Sequence, residues 1–354
     1  MNEKRRDNKW PIIGNEHITD YLDRILEKRN LSGSYIFLGP TDLGKTTVAR
    51  FFAGHILCES EQKEGGSLCG QCPSCKQMNA DKNGKGEEGG FEAVHSDLHI
   101  VEKDPAKRNI SIEQVRGFIR SLGMSSFLNS YKIGIIKNAE SLSIEAANAL
   151  LKTMEEPSGK VVIILIASYL DNIPETIVSR SQVLNFRPVN YGELYDYLLK
   201  EYGTDRGSAK NLSHLSLGRP ALAKKFFEDK DFYEDYIFRA QVFLDIFGNS
   251  INSGFNRIEE MIGGRATGQE SAGSVLDALE CWTGIVRDLA LLRSGNQKFI
   301  QHEIFSDNLE KLNQKLDYVD LVNFHDLLQK GKERVRANVN PGLVLEDIVC
   351  GVKG

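Results

Sequence analysis

The run SYIFLGPTDLGKT, Ser34 to Thr46, decides how the rest of the chain is read. Ser34 to Gly39 is short, aromatic and β-branched, and so predicts a strand. Gly39 to Thr46 matches the spacing G-x-x-x-x-G-K-[ST]. Beyond it, Val48, Phe51, Phe52 and Ile56 recur at helical spacing, so a helix is predicted from Thr46 to Ile56. A strand, a glycine turn and a helix in this order make a phosphate cradle. The glycines let backbone N–H groups converge on phosphate oxygens, and the helix N-terminus adds its positive end. On this reading Gly39 and Gly44 shape the loop and Lys45 reaches the β and γ phosphates. The Thr46 hydroxyl ligates Mg²⁺, and Thr47 lines the same nucleotide site. The plainer alternative is a strand–helix turn that binds nothing.

Outward from this loop, the first 190 or so residues alternate short apolar runs with helical patterns, the mark of an α/β sheet. Leu98–Glu102, Ile133–Lys137 and Val161–Ser168 read as strands, the last a continuous β-branched run covered on both faces. Ser111 and Gln114 fit a capping box, and Gly123 ends the helix they start. Ser143 caps a helix over Ile144–Glu156 that Pro157 stops. Residues 79–90 are polar and glycine-rich, a surface loop. After Pro188 strand signals vanish. The expected organisation is residues 1–188 as a P-loop domain, 189–228 as a small helical domain broken at LGRP (Leu217–Pro220), and 229–354 as a larger helical one.

Bulk properties set limits. A chain of 354 residues suggests two or three domains, and 41% hydrophobic residues is normal for a folded protein. No run of about 18 apolar residues is present, so no membrane helix is expected. The start, MNEKRRDNKWP, has no apolar core of an export signal, which points to the cytoplasm. Its Lys4, Arg5 and Arg6 read as a solvated tail, with nucleic-acid contact the alternative. A net charge of −5 argues against a stand-alone DNA-binding domain. Of six cysteines, Cys281 and Cys350 stand alone and are expected to be buried thiols. Cys58, Cys69, Cys72 and Cys75 cluster, with two C-x-x-C steps sharing Cys72. Four thiolates at this spacing suit one tetrahedral Zn²⁺ with no open position, hence a structural site. His95 and His99 downstream are read as polar or capping residues.

KIGIIKNAESLS, Lys132 to Ser143, carries a departure. In P-loop ATPases the corresponding strand ends in an acid that holds Mg²⁺, often followed by a glutamate that works on water. Here Lys137 and Asn138 stand there. A lysine does not ligate Mg²⁺ and an asparagine takes no proton from water. The expectation is nucleotide binding without turnover. The alternative is that Glu140, three residues on, substitutes.

The order of these features is specific: the P-loop, the four-cysteine module after its helix, HSDLHIVE, SIEQVR, ANALLKTMEEP and PETIVSRSQVLNF. It resembles the clamp-loader subunits of bacterial DNA polymerase III, which are AAA+ ATPases, and among them the delta-prime group. The likeness runs from Ile12 to Val349 and is strongest in the first two hundred residues. It implies an AAA+ domain, a helical lid and a helical collar. It also implies a place in a hetero-oligomeric ring with gamma/tau and delta subunits that loads a sliding clamp onto primed DNA, as part of a polymerase holoenzyme. By the same resemblance Arg180, in Ser179-Arg180-Ser181, matches the arginine finger lent to a neighbour's ATP; Ser181 departs from the family's cysteine. Arg219, in GRPALA, lies near the nucleotide-sensing arginine but not clearly on it. Two other readings stay open. One is a gamma/tau-type motor, favoured by the intact loop and disfavoured by Lys137, Asn138 and the lack of a long proline-rich basic tail beyond Gly354. The other is an unrelated zinc-containing nucleic-acid binder.

Overall fold

A computed structural model gives the architecture and describes residues 10–60, 68–79, 95–104, 107, 109–124, 126, 131–156, 159–248, 251–263 and 269–353. They fall into two compact units, residues 1–189 and 190–354. The expectations for Lys4, Arg5 and Arg6, for nearly all of the loop 79–90 and for Pro157 lie outside the described residues.

The first unit is a parallel five-stranded sheet. Its strands are β1 (Ser34–Leu38), β2 (Leu98–Val101), β3 (Lys132–Ile136), β4 (Val161–Ala167) and β5 (Gln182–Asn185). Their spatial order is β2-β3-β4-β1-β5 and every neighbouring pair is parallel. Parallel pairing forces each connection to cross back over a face. Helices α2 (Lys45–Leu57), α3 (Pro73–Asn79), α4 (Ile112–Gly123), α5 (Ile144–Glu155) and α6 (Glu175–Val178) therefore alternate with the strands, after a leading α1 (Glu16–Glu27). All seven positions of β4 are buried, as its unbroken apolar run requires. Alternation along β1 feeds two cores. Tyr35 and Phe37 pack with Leu22, Val48 and Phe52 on one face. Ile36 packs with Val115, Phe118 and Leu150 on the other. Each such side chain contributes roughly 1.5–3 kcal/mol on burial.

Local signals account for the ends. Ser111 and Gln114 form both halves of the capping box on α4, and the Ser143 hydroxyl accepts from the Ala146 N–H at 3.2 Å at the start of α5. Gly134 in β3 is required by packing: a Cβ there would lie 2.2 Å from the Phe118 ring. One strand is displaced from its expected range. β3 begins at Lys132, where an ion pair to fully buried Asp97 at 3.0 Å lets a lysine sit inside the sheet. It ends at Ile136 rather than Lys137, because Asn138 takes a left-handed conformation (φ 54°, ψ 49°) and reverses the chain. Asparagine tolerates that region better than most residues.

The second unit is helical, with no strand among its described residues. Helices α7 (Tyr191–Glu201), α8 (Arg206–Leu215) and α9 (Pro220–Glu228) come first. The expected break falls between α8 and α9, where Leu217 and Gly218 have φ 52° and 70°. Then follow α10 (Lys230–Gly248), α11 (Ile251–Ile262), α12 (Gln269–Arg293), α13 (Ser306–Asn313), α14 (Tyr318–Arg336) and α15 (Pro341–Lys353). Phe243, Trp282, Ile285, Leu328 and Leu345 center their core. Fully buried Asp288 is satisfied there by the N–H groups of Gln301 and His302 at 3.0 and 2.8 Å and by the His302 ring at 2.8 Å. Of the two lone thiols, Cys281 is buried but Cys350 is exposed, against expectation. The buried stripe of α15 is Val344, Leu345, Ile348 and Val349, and Cys350 falls just off it.

Candidate functional site

The phosphate loop leaves β1 at Gly39, whose N–H donates to the Ala167 carbonyl at 3.1 Å. Gly39 has φ 144°, and a Cβ there would meet the Phe186 carbonyl oxygen at 2.4 Å, so only glycine fits. Gly44, at φ 84°, is the N-cap of α2 and offers no side chain to the helix's first N–H groups. Those donors are left for an outside acceptor. Lys45 opens the helix and is buried. Its ammonium donates to the carbonyls of Gly39 and Pro40, back onto its own loop. Burial pushes Lys45 down to about 8, while the charges of Glu140 and Asp42 pull it back up. Thr46 is half-buried and Thr47 exposed on the first turn. The uncapped N–H groups, the lysine and the hydroxyl suit a nucleotide phosphate with its Mg²⁺.

The end of β3 lies on the same edge of the sheet. Lys137 turns away and pairs with Glu102 beyond β2 at 2.8 Å. After the left-handed Asn138, a 3-10 turn over Ala139–Ser141 tucks inward. Ala139 is fully buried and Glu140 is 9% exposed. The Glu140 Oε2 atom is buried without a hydrogen-bond partner. The sequence held one signal for this, an acid two residues past a turn-forming asparagine, but its proximity to Lys45 depends on strand order.

The four expected metal ligands come together: the Sγ atoms of Cys58, Cys69, Cys72 and Cys75 lie within 4.8 Å of one another. Cys58 caps the end of α2 and Cys75 lies on α3. A tetrahedron with Zn–S of about 2.3 Å has S···S edges of roughly 3.8 Å, and Cys69 and Cys75 are 3.7 Å apart. The N–H groups of Cys72 and Cys75 donate to the sulfurs of Cys69 and Cys72 at 3.4 and 3.3 Å. N–H donors, that of Cys72 first, pull the Cys69 thiol down to about 6; burial raises that of Cys75. The set fits a tetrahedral thiolate-bound ion. His95 stays outside it, bonded to Ser74 at 3.1 Å and accepting from the Asp97 N–H at 3.0 Å.

Arg180 lies elsewhere. β5 starts at Gln182, whose register partner follows the start of β1, so Arg180 sits at the amino edge of the sheet, while the phosphate loop leaves the carboxyl edge. The strands between, at roughly 3.3 Å per residue, keep the guanidinium from the loop of its own chain. Its side chain is 42% exposed, pairs with Glu155 at the end of α5 at 2.7 Å, and donates to the Thr176 carbonyl at 3.1 Å. Ser181 donates to Ile177 at 2.8 Å and meets Ser34 of β1 at 2.6 Å, which pins the turn carrying Arg180.

Comparison with known proteins supplies the context. The family described as "DNA polymerase III, delta subunit" matches residues 14–190, half of the chain. DNA polymerase III subunit tau of Bacillus subtilis is 33% identical over 178 residues, covering 50% of this chain and 29% of that protein. Subunit delta' of Pseudomonas aeruginosa is 31% identical over 147 residues, 42% of this chain and 40% of that one. This chain thus spans well under two thirds of those relatives' own length. A solved gamma subunit-related protein from Thermotoga maritima aligns with TM-score 0.49 and 18% identity, over 94% of this chain and 98% of that one.

Proposed function

From the premise that the chain belongs to the DNA polymerase III delta-subunit family, we propose that it is a delta-prime-type subunit of a clamp loader. In this reading it sits in a hetero-oligomeric ring with gamma/tau and delta subunits, in the cytoplasm, and helps load a sliding clamp onto primed DNA. Its loop binds ATP with Mg²⁺ but turns none over alone, and its four cysteines hold a structural Zn²⁺. Residues 189–228 act as a lid and 229–354 as a collar. Arg180 is the finger that steadies charge on the γ-phosphate of a neighbour's ATP.

The observation that carries this reading is the separation within one sheet. Lys137 and Asn138 leave the end of β3 without an acid, and Arg180 stands exposed at the other edge. An exposed ion pair is worth roughly 0–1 kcal/mol to stability, so stability is a weak reason for an arginine there. The intact Lys45 loop favours a second reading, a gamma/tau-type motor. The test is ATP hydrolysis by the lone chain and by a reconstituted assembly with primed DNA and clamp. The expected result is no hydrolysis above background by the lone chain. Arg180→Ala should slow the assembly by about tenfold or more, less than the roughly 10³–10⁵ of a single finger supplied in trans because only one site of the ring is touched, and leave assembly intact. Arg180→Lys should be nearly as slow, since the planar fork is lost. Steady hydrolysis by the lone chain, abolished by Lys45→Ala, would move it to the motor class; unchanged loading by the Arg180→Ala assembly would remove the finger.

A further inference from the structure

We propose that Glu140 is the carboxylate that seats the divalent cation of a metal–nucleotide complex in the phosphate loop, in place of the acid absent from the end of β3. This rests on the reading of that loop as a nucleotide site. Three observations converge. The first is position. Only β4 separates β3 from β1, with Ile136 level with Leu165 and Leu38 level with Ala167. At about 4.8 Å per strand, the two carboxyl ends lie roughly 10 Å apart, a gap that a glutamate, a cation and a phosphate oxygen span. Lys137 is drawn off to Glu102, and the left-handed Asn138 turns the chain so that Glu140 folds back inside the edge.

The second observation is an unmet demand. Glu140 is more than nine-tenths buried and its Oε2 accepts no hydrogen bond. A buried carboxylate oxygen without a hydrogen-bond partner is costly, and a bound cation would relieve that cost. The third is electrostatic contact: Glu140 is the leading charge that favours the protonated form of Lys45. The carboxylate and the ammonium are therefore within electrostatic reach of each other.

The chemistry follows. A bare nucleotide triphosphate beside this carboxylate is repelled, and Lys45 offsets only one unit of charge. A hard dication turns that repulsion into a bridge, since Mg²⁺ prefers one or two carboxylates together with substrate phosphates and waters. Thr46 and the phosphates supply one side, and Glu140 the other, directly or through a water. This makes Glu140 a positioning residue for the metal. It activates no water, so the assignment agrees with binding without turnover.

The experiment uses the full-length chain and isothermal titration calorimetry with ATP, with and without added Mg²⁺, in metal-scrubbed buffer free of chelator so that the thiolate cluster is left intact. The wild type should bind ATP about tenfold or more tightly with Mg²⁺, the scale of loss when a metal's supporting group is removed. Glu140→Gln keeps the shape and removes the charge. It should collapse that preference to near unity, by weakening the Mg²⁺ complex and strengthening binding of the metal-free nucleotide. Its melting temperature should stay close to the wild type's, because the shape is kept and the buried oxygen that lacks a hydrogen bond is exchanged at the cost of its attraction to Lys45. A measurement that needs no variant is electron paramagnetic resonance of Mn²⁺, whose uptake by the wild type should depend on ATP. A Mg²⁺ preference that survives Glu140→Gln unchanged, or ATP binding with no Mn²⁺ uptake, overturns this proposal alone. No ATP binding by the wild type under either condition overturns the nucleotide reading and the proposal with it.

Discussion

The two edges of the same sheet differ in how they keep their charges. At the carboxyl edge Lys45 and Glu140 are buried, and Lys45 is turned onto its own loop's carbonyls. At the amino edge Arg180 and Glu155 are 42% and 48% exposed and meet each other in solvent. Buried charge in a fold needs a partner or a ligand to justify its desolvation. Exposed charge needs neither, and stays free to be claimed from outside. On the proposed reading, the buried pair serves the chain's own ligand and the exposed arginine serves a neighbour.

The comparison breaks first at Gly39. Gly39→Ala places a Cβ against the Phe186 carbonyl at a φ reserved for glycine, and should cost about 4 kcal/mol or more in urea unfolding. A loss under about 1 kcal/mol would mean that the carboxyl edge is looser than it looks. Next is the thiolate cluster at the far end of α2. Elemental analysis should find about one zinc per chain, and Cys75→Ser should lower stability by roughly 2–4 kcal/mol. A metal-free protein with four titratable thiols in the cluster would remove the metal site. A subtler break is pH. The fold holds Lys45 at about 8 against an ordinary 10.5, so between those values the unfolded chain keeps a proton that the folded chain sheds. Stability of the empty protein therefore rises with pH across that window, while ATP affinity, which needs the ammonium, falls above about pH 8. Calorimetry in buffers of different ionisation heat should show proton uptake on binding there, and its absence would place Lys45 outside the phosphate contacts. Smallest is Arg180→Ala in the lone chain: an exposed pair predicts a change below about 1 kcal/mol in melting. A larger loss would make Arg180 a structural member of its edge.

Much of this was legible in the chain. The strand–glycine–helix order placed the loop, because its glycines answer to local backbone demands. Ser111 with Gln114, and Ser143, announced their helices because caps are local too. The cysteine spacing read directly as a cluster, since it closes over a short stretch of chain. What escaped was set by distance in sequence. Glu140 stood in the sequence only as the alternative acid, because its closeness to Lys45 is set by the order β3-β4-β1 and the left-handed turn at Asn138. The grip of Glu155 on Arg180 joins two segments that merely share an edge. Cys350 read as core because cysteine usually is, yet the register of α15 turns it outward.

Helix α2 begins as the floor of the phosphate loop and ends at Cys58, inside the thiolate cluster. Its thirteen residues make a rod of roughly 20 Å between the loop and the cysteine cluster. A helix normally frays from its termini inward, and its amide protons exchange fastest there. A metal held by the cluster would fix the C-terminus of α2 and leave one end to open, the end at the phosphate loop. If the cluster holds a metal, its loss would let the far end fray, and the loosening would be felt at the loop along the rod.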